Sequence, residues 1–256
     1  MYTDTHAHLQ NELLRGGLEQ VLERAQAAAV TTIMCIGYDL DSSREAVQLA
    51  QRYPQIYAVV GVHPHDAKQL DQNTLDELIK LAREPKVVAI GEIGLDFYRD
   101  LSPRDVQRQA FVQQIKLAQE LGKPIVIHDR DAHQEVLDTI RREKAGSNGG
   151  ILHCYSGHLP LAIDLMKEGF HISFAGPVSF KNGRKAQEVA VHIPLDRLLI
   201  ETDCPYLTPE PLRGKPNEPA YVVHVAQAIA QLRRKSVEEI AYLTSRNANQ
   251  VYRLNK

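Results

Sequence analysis

Short apolar and β-branched runs recur along the chain, separated by longer stretches that mix polar and apolar residues. They predict eight β-strands, at 2–5, 31–37, 56–62, 87–91, 124–128, 150–154, 170–174 and 198–202. Runs such as VVAIG and PIVIH are apolar throughout, which is typical of strands that are covered on both faces. Successive strands begin 20 to 37 residues apart, which leaves room for a helix and two short loops in each gap.

Helix signals fill these gaps. Segments 42–45 and 236–239 have the spacing of a capping box, and Ser102-Pro103 places a cap and a first-turn proline before an amphipathic run that Gly122 ends. This alternation of strands and helices predicts a (β/α)8 TIM barrel, with an open doubly wound sheet as the second choice. The 256 residues suit one barrel and show no linker or repeat, so we expect a single domain over 1–256.

Composition excludes several classes of protein. With 43% hydrophobic and 24% charged residues the chain is globular, and its net charge of -2 gives no overall positive field for nucleic acid or a membrane surface. The sequence begins without a signal-peptide pattern and has no membrane-length apolar stretch, so we expect a cytoplasmic protein with no membrane partner. Its three cysteines, Cys35, Cys154 and Cys204, do not form a disulfide framework, and strand alternation argues against a cysteine nucleophile.

Six side chains that can bind metal fall at the carboxyl ends of the predicted strands, where barrel enzymes place their chemistry. They are His6, His8, Glu92, His128, His153 and Asp203. His6 and His8 lie two residues apart, so strand alternation turns both imidazoles to the same side. Six ligands exceed what one open catalytic zinc uses, and a carboxylate such as Glu92 can bridge two ions. We therefore expect two divalent ions, with Zn, Mn, Co and Mg all compatible; the alternative is a set of satisfied core or rim residues.

Several sequence blocks resemble those of TatD-family metal-dependent hydrolases in the amidohydrolase superfamily. They are DTHAHL, GVHP, GEIGLDF, IHDR, HCYSG, ETDCPYL, NEP and the terminal RNANQVY. The resemblance implies a barrel with a dinuclear metal site that cleaves phosphodiester bonds, typically from the 3′ end of single-stranded DNA. It assigns the six side chains above as ligands and Asp203 also as the base. Ala7 stands where a cysteine is frequent, on the side of the strand that faces away from the site.

Other polar and aromatic residues near the same strand ends are candidates for substrate contact. His63, in GVHP, resembles the family position that touches substrate, and we count it with Asp203 and Glu92 as catalytic. Arg130 could reach a phosphate or form a rim salt bridge, and Lys181 opens a basic cluster with Arg184 and Lys185. Three aromatic residues, Phe97, Tyr155 and Tyr206, could stack a base or pack under loops. His65 is read as a loop residue.

These observations favour a two-metal phosphodiesterase, most specifically a 3′-5′ exodeoxyribonuclease, and nucleic acid as the partner. A second reading is a metal-dependent amidohydrolase or esterase, such as a deacylase of mischarged tRNA or a small-molecule hydrolase, because a fold does not fix a function. Small-molecule members of the superfamily often bridge their metals with a carboxylated lysine, whereas this chain has Glu92. A noncatalytic binding barrel is the third reading, and it would need a broken ligand set. No obligate protein partner is evident.

Overall fold

The computed structural model describes residues 1–254, and eight strands with a helical segment after each of them make up the fold. The strands are β1 Tyr2–Ala7, β2 Val30–Ile36, β3 Ile56–Val60, β4 Val87–Asp96, β5 Ile125–Arg130, β6 Gly150–Leu152, β7 Phe170–Phe174 and β8 Leu198–Ile200. They form one sheet in the order β1 to β8, and each pairing that the structure describes is parallel. A parallel bridge joins Ala7 to Cys204, which follows β8. This topology confirms the predicted (β/α)8 barrel.

Over residues 1–254, ten α-helices alternate with the strands or follow β8. They are α1 Glu12–Arg15, α2 Leu18–Ala27, α3 Leu40–Arg52, α4 Gln72–Ala82, α5 Arg104–Glu120, α6 His133–Glu143, α7 Leu159–Lys167, α8 Arg184–His192, α9 Val222–Arg233 and α10 Val237–Tyr252. The last of them contains the segment that the capping-box spacing at 236–239 indicated. Within the described part of the chain, no helix combines the length and apolarity that a membrane span requires.

The chain packs as two compact units. The first contains Met1–Cys35, Cys154–Ile163 and the residues from Ile172 onward, and the second contains Ile36–His153 and Asp164–His171. In the first, the buried Asn247 of α10 donates from Nδ2 to the carbonyls of Leu195 and Leu198, at 2.7 and 2.9 Å. This fixes α10 to the start of β8. The expectation of one domain over 1–256 stays a prediction.

In the second unit a buried glutamine fixes helix α5 to the end of β3. Gln114 accepts a hydrogen bond from the backbone N–H of Val62 at 2.7 Å and donates to the carbonyl of Val62 at 3.0 Å. Phe111 and Ile115 on the same helix are buried, as their predicted apolar face requires. The loop that carries His63 is therefore held against a packed helix.

The N-termini of two helices differ from the sequence-based expectations. Helix α3 begins at Leu40 with Asp39 as its N-cap, and Ser42 is the third helical residue of the capping box rather than its first member. In helix α5 the N-cap position is held by Pro103 with no side-chain capping bond, and the hydroxyl of Ser102 donates to the carbonyl of His65 at 2.7 Å. Ser236 does cap α10, by accepting from the N–H of Glu239, and Gly122 follows the end of α5 in a left-handed conformation, both as predicted.

Strand ends also shift the placement of the candidate ligands. Strand β4 runs to Asp96, so Glu92 lies inside it and does not follow it. Strand β8 ends at Ile200, so Asp203 lies three residues beyond the strand. His153 directly follows β6, and His63 follows β3 as the N-cap of a 3-10 turn, Pro64–Gln69.

Candidate metal centre

A cluster of two histidines and one aspartate lies in the first unit. The Nε2 atoms of His6 and His8 lie 3.7 and 3.5 Å from Oδ1 of Asp203. The two rings stand edge to face with their centroids 5.0 Å apart. Ligands of a tetrahedral zinc, each about 2.1 Å from the ion, are about 3.4 Å apart. Oδ1 of Asp203 therefore lies from each histidine nitrogen at about the spacing of two ligands that share one cation.

Backbone hydrogen bonds bring this aspartate to the two histidines. The N–H of Asp203 donates to the carbonyl of His6, and the N–H of His8 donates to the carbonyl of Cys204, both at 2.9 Å. Asp203 adopts a left-handed conformation with φ 57°, which aspartate tolerates better than most residues. The sheet thus pairs the end of β1 with the segment after β8, and this pairing sets the cluster.

Asp4 fixes the backbone next to the cluster, and it was not among the residues that the sequence indicated. Its carboxylate accepts from the N–H and the hydroxyl of Thr202, at 2.9 and 2.6 Å, and so ties β1 to the residue before Asp203. Complete burial raises the pKa of Asp4 to about 8, against the lowering effect of these hydrogen bonds. Strand alternation was the available signal, because residues 4, 6 and 8 share one face.

In the second unit, one carboxylate oxygen faces three imidazoles. Oε1 of Glu92 lies 2.7 Å from Nε2 of His153, 2.8 Å from Nδ1 of His128 and 3.4 Å from Nε2 of His63. His128 and His153 approach each other to 3.3 Å through these same nitrogens. Only 3% of the surface of Glu92 is exposed to solvent. A buried carboxylate requires polar partners, and here three imidazoles lie within 3.4 Å of one of its oxygens.

Asp96 is a further member of this cluster that sequence reasoning missed. Its Oδ2 lies 3.1 Å from Nε2 of His128 and 2.8 Å from Nε2 of His65, which was read only as a loop residue. Burial alone would raise the pKa of Asp96, but hydrogen bonds from His128, the N–H of Arg99 and His65 outweigh it and lower that pKa well below its usual range. The carboxylate is therefore an anion that holds two imidazoles.

Gly94 allows His128 to lie between Glu92 and Asp96. It pairs with His128 in the register of β4 and β5, and its φ is 144°. A Cβ atom at this position would overlap the carbonyl oxygen of His128. Only glycine permits this close approach and this conformation, so the GEIGLDF block places a carboxylate on each side of the ring.

The hydrogen bonding of His63 defines its tautomer. Nδ1 of His63 accepts a hydrogen bond from the N–H of His65 at 3.1 Å. Burial and the neighbouring His128 lower the pKa of His63 to about 4, so the ring is neutral at pH 7. A neutral ring that accepts at Nδ1 carries its proton on Nε2. Nε2 of His63 is thus a donor directed at Glu92.

The remaining candidates for substrate contact divide by exposure. Arg130 is exposed at the end of β5, and Lys181 is exposed after β7. The guanidinium carbon of Arg130 lies 4.9 Å from the centroid of the Tyr98 ring. Tyr155 is only 6% exposed, and its hydroxyl donates to the carbonyl of His158 at 2.9 Å. Tyr206 is 53% exposed. Of these two tyrosines, only Tyr206 is accessible to a ligand in solution.

The chemistry of the donors suits divalent cations. Imidazole nitrogens and carboxylate oxygens of His6, His8 and Asp203 lie within 4.8 Å of one another, as do those of His63, Glu92 and His128. These are the ligand types of catalytic zinc and related ions. The tautomer of His63 makes His153, with its shorter distances to Glu92 and His128, the better third ligand of the second group.

Comparison with known proteins agrees with this chemistry. A family model described as TatD related DNase matches residues 3–253. The protein belongs to this TatD-related DNase family, which confirms the resemblance noted in the sequence. It is a metal-dependent hydrolase of the kind that acts on ester bonds.

Individual relatives cover all or nearly all of the chain. The sequence is 48% identical over 255 residues, 100% of both chains, to the uncharacterized metal-dependent hydrolase YabD of Bacillus subtilis. It is 36% identical over 257 residues, covering 98% of this chain and 99% of the relative, to the 3′-5′ ssDNA/RNA exonuclease TatD of Edwardsiella piscicida. The crystal structure of YJJV, a TatD homolog from Escherichia coli K12, superposes with a TM-score of 0.93 at 30% identity and covers 98% of each chain.

Proposed function

We propose that this protein is a divalent-metal-dependent phosphodiester hydrolase that removes nucleotides from the 3′ end of single-stranded DNA. The observation that carries the proposal is the buried Oε1 of Glu92 among the three imidazoles of His63, His128 and His153. The names of relatives such as the exonuclease of Edwardsiella piscicida support nucleic acid as the substrate. An exonuclease needs metal ligands, a base for water and donors for the phosphate, and the chain has a candidate for each.

Two ions would be held by two donor groups. His6, His8 and Asp203 would hold one, and Glu92, His128 and His153 the other, with Zn, Mn, Co and Mg all compatible with these ligands. Bound divalent ions supply Lewis-acid polarisation of the phosphoryl oxygens and lower the pKa of water. Buried rings and carboxylates have little rotamer freedom, so the protein would present these donors in a nearly fixed arrangement.

Asp203 is the proposed base. Its side chain is 13% exposed, against 0 and 8% for those of His6 and His8, so it is the member of its cluster most open to water. Its Oδ1 lies 3.7 and 3.5 Å from the Nε2 atoms of His6 and His8, so a water held beside these ligands would be within its reach. A proton taken from the attacking water would be held there while the phosphodiester bond breaks.

His63 is the proposed donor to the phosphate. Because Nδ1 accepts from the N–H of His65, the proton on Nε2 is available to a non-bridging phosphoryl oxygen of the substrate. This role separates His63 from the ligands that lie nearer Glu92. It also gives the GVHP block a function that does not depend on binding metal.

Exposed basic side chains would bind the phosphates on either side of the reacting one. Arg130 and Lys181 are both solvent-exposed, and stacking on Tyr98 restricts the guanidinium of Arg130. Near Lys181, the guanidinium carbon of Arg213 lies 4.3 Å from the Phe180 ring centroid, which adds a second charge to the same loop region. Tyr155, which the sequence suggested for base contact, is buried, and we do not assign it a stacking role.

Cleavage of end-labelled substrates tests the proposal. Metal-loaded protein should shorten a 5′-labelled single strand of DNA one nucleotide at a time and should release the label of a 3′-labelled strand in the first turnover. RNA of the same sequence and an aminoacylated tRNA serve as competing substrates. Release of the amino acid without cleavage of either strand would contradict the proposal and favour the deacylase alternative.

A further inference from the structure

An exposed aromatic ring lies beside the histidine–aspartate cluster of the first unit. Tyr206 is 53% exposed, and its ring centroid lies 6.4 Å from that of His8, with the planes inclined at 64°. Burial is the usual fate of an aromatic ring, since it removes a large apolar surface from water. Here the ring stays in solvent three residues after Asp203.

The position of this ring is fixed by its own chain. The N–H of Tyr206 donates to the carbonyl of Asp203 at 3.0 Å, and its carbonyl accepts from Nδ2 of the buried Asn217 at 2.6 Å. The hydroxyl accepts from Nδ2 of Asn11, the N-cap of α1, at 3.2 Å. Hydrogen bonds therefore hold both the backbone and the hydroxyl of Tyr206. Because the ring is already ordered, less conformational entropy would be lost when a ligand stacks against it.

The surroundings of Tyr206 suit a strand of nucleic acid. Basic residues Arg213 and Lys215 follow in the same loop, and both are exposed. The hydroxyl of Thr208 donates to the carbonyl of Lys215 at 2.6 Å and so folds this part of the loop back on itself. An exposed aromatic ring in a loop that also carries basic side chains combines the two features by which proteins bind single strands without reading their sequence.

We propose that Tyr206 is a substrate-binding residue that stacks on a base of the single strand next to the phosphodiester bond being cleaved. The inference rests on the proposed nuclease function and adds to it the residue that recognises the base. Every base has a π-face, so this contact favours a nucleotide over an abasic or non-nucleotide ester without selecting one base. The ring would touch substrate in the ground state and in the transition state alike, so it would act on KM more than on kcat.

Kinetics on matched oligonucleotides test the stacking role. One strand carries bases throughout, and three others each carry one abasic residue at the first, second or third position from the 3′ end. Tyr206→Ala should raise KM for the full strand by roughly 5- to 100-fold with kcat little changed. For the abasic strand that removes the stacked base, wild type and Tyr206→Ala should have the same KM. Tyr206→Phe, which keeps the ring and loses the hydroxyl, should stay close to wild type.

Tyr242→Ala is the matched control, because Tyr242 is a 67% exposed tyrosine of α10 that lines a surface cavity with Met1, at the amino end of β1. It should leave all four KM values unchanged. Equal KM values for wild type and Tyr206→Ala on the full strand would overturn the stacking role while the nuclease function stands. The same increase on every abasic strand would also overturn it, since the loss would not depend on a base. If wild type cleaves none of the strands, both the proposed function and this inference are wrong.

Discussion

His128 lies between two carboxylates, with Nδ1 2.8 Å from Glu92 and Nε2 3.1 Å from Asp96. An imidazole that faces a carboxylate at each nitrogen has a fixed ring plane, and a cation bound at Nδ1 would leave the proton on Nε2 for Asp96 to accept. Because Nδ1 faces the proposed metal ligands, Asp96 holds the nitrogen on the far side and acts through the ring. This is the relationship by which outer carboxylates orient histidine ligands in metal sites.

Asp96→Asn should weaken metal binding without unfolding the protein. The amide oxygen can still accept from the N–H groups of Tyr98 and Arg99, which lie 3.0 and 2.7 Å from Oδ1, but the amide nitrogen cannot accept from His128. We expect the affinity for one divalent ion to fall by about 10- to 100-fold, measured by competition with a chromogenic chelator. Asp100→Asn, an exposed change in the loop that follows β4, is the control and should leave affinity unchanged. If Asp96→Asn bound metal with the affinity of wild type, Asp96 would have no role in metal binding.

Glu92→Ala and Glu92→Gln should reduce metal content and activity together. Both remove the negative charge that three imidazoles face, so cations in the second group would lose their central ligand. Metal analysis of protein dialysed at low metal should show at least one ion per chain fewer than in wild type. Glu120→Gln, at the exposed end of α5, provides a control for the substitution itself. Full turnover by Glu92→Ala at low metal would show that Glu92 binds no catalytic ion.

Asp203→Asn should separate proton transfer from metal binding. Asparagine tolerates the left-handed φ of 57°, and its amide oxygen can still coordinate, so fold and metal content should largely persist. It cannot accept a proton at pH 7, so the rate should drop by roughly 10²- to 10⁴-fold with KM little changed. Hydrolysis of a single-stranded oligonucleotide and metal content are measured on the same sample. A metal-replete Asp203→Asn that cleaves at the wild-type rate would exclude Asp203 as the base.

Asn217→Ala should destabilise the loop that carries Tyr206. The buried amide of Asn217 donates to the carbonyls of Thr202 and Tyr206, at 2.8 and 2.6 Å, and alanine would leave both without this donor. We expect the free energy of unfolding to fall by about 1–3 kcal/mol, measured by urea denaturation. Asn73→Ala, at an exposed position of α4, should change it by less than about 0.5 kcal/mol. An unchanged urea midpoint in Asn217→Ala would show that this amide does not hold the loop.

Strand positions followed from the sequence because the apolar runs are long and continuous. The predicted 87–91 and 170–174 begin at the observed starts of β4 and β7, since buried parallel strands carry few polar interruptions. The end of β4 was misplaced because the polar Glu92 was taken to follow the strand, whereas it is a buried strand residue. Burial of a carboxylate depends on partners from other elements, and a local pattern does not contain them.

Some features of the candidate site could likewise be predicted from local sequence patterns, and others could not. Alternation along β1 and β4 could have identified Asp4 and Asp96, because each shares a strand face with a candidate ligand. No local pattern reveals that Tyr155 is buried and Tyr206 exposed, since both follow a proposed ligand closely in the sequence. That difference arises from how the loops after β6 and β8 fold, which long-range hydrogen bonds such as those of Asn217 decide.

The most direct test of the account starts from metal-free protein and follows cleavage as metal is added back. Protein stripped with a chelator is titrated with Mn²⁺ or Zn²⁺, and bound metal and removal of 3′-terminal nucleotides from a labelled single strand are measured at each point. We predict no cleavage without metal and a rise in rate that reaches its plateau at two ions per chain. Cleavage at the full rate in the stripped protein, or two bound ions with no cleavage of the strand, would contradict the account.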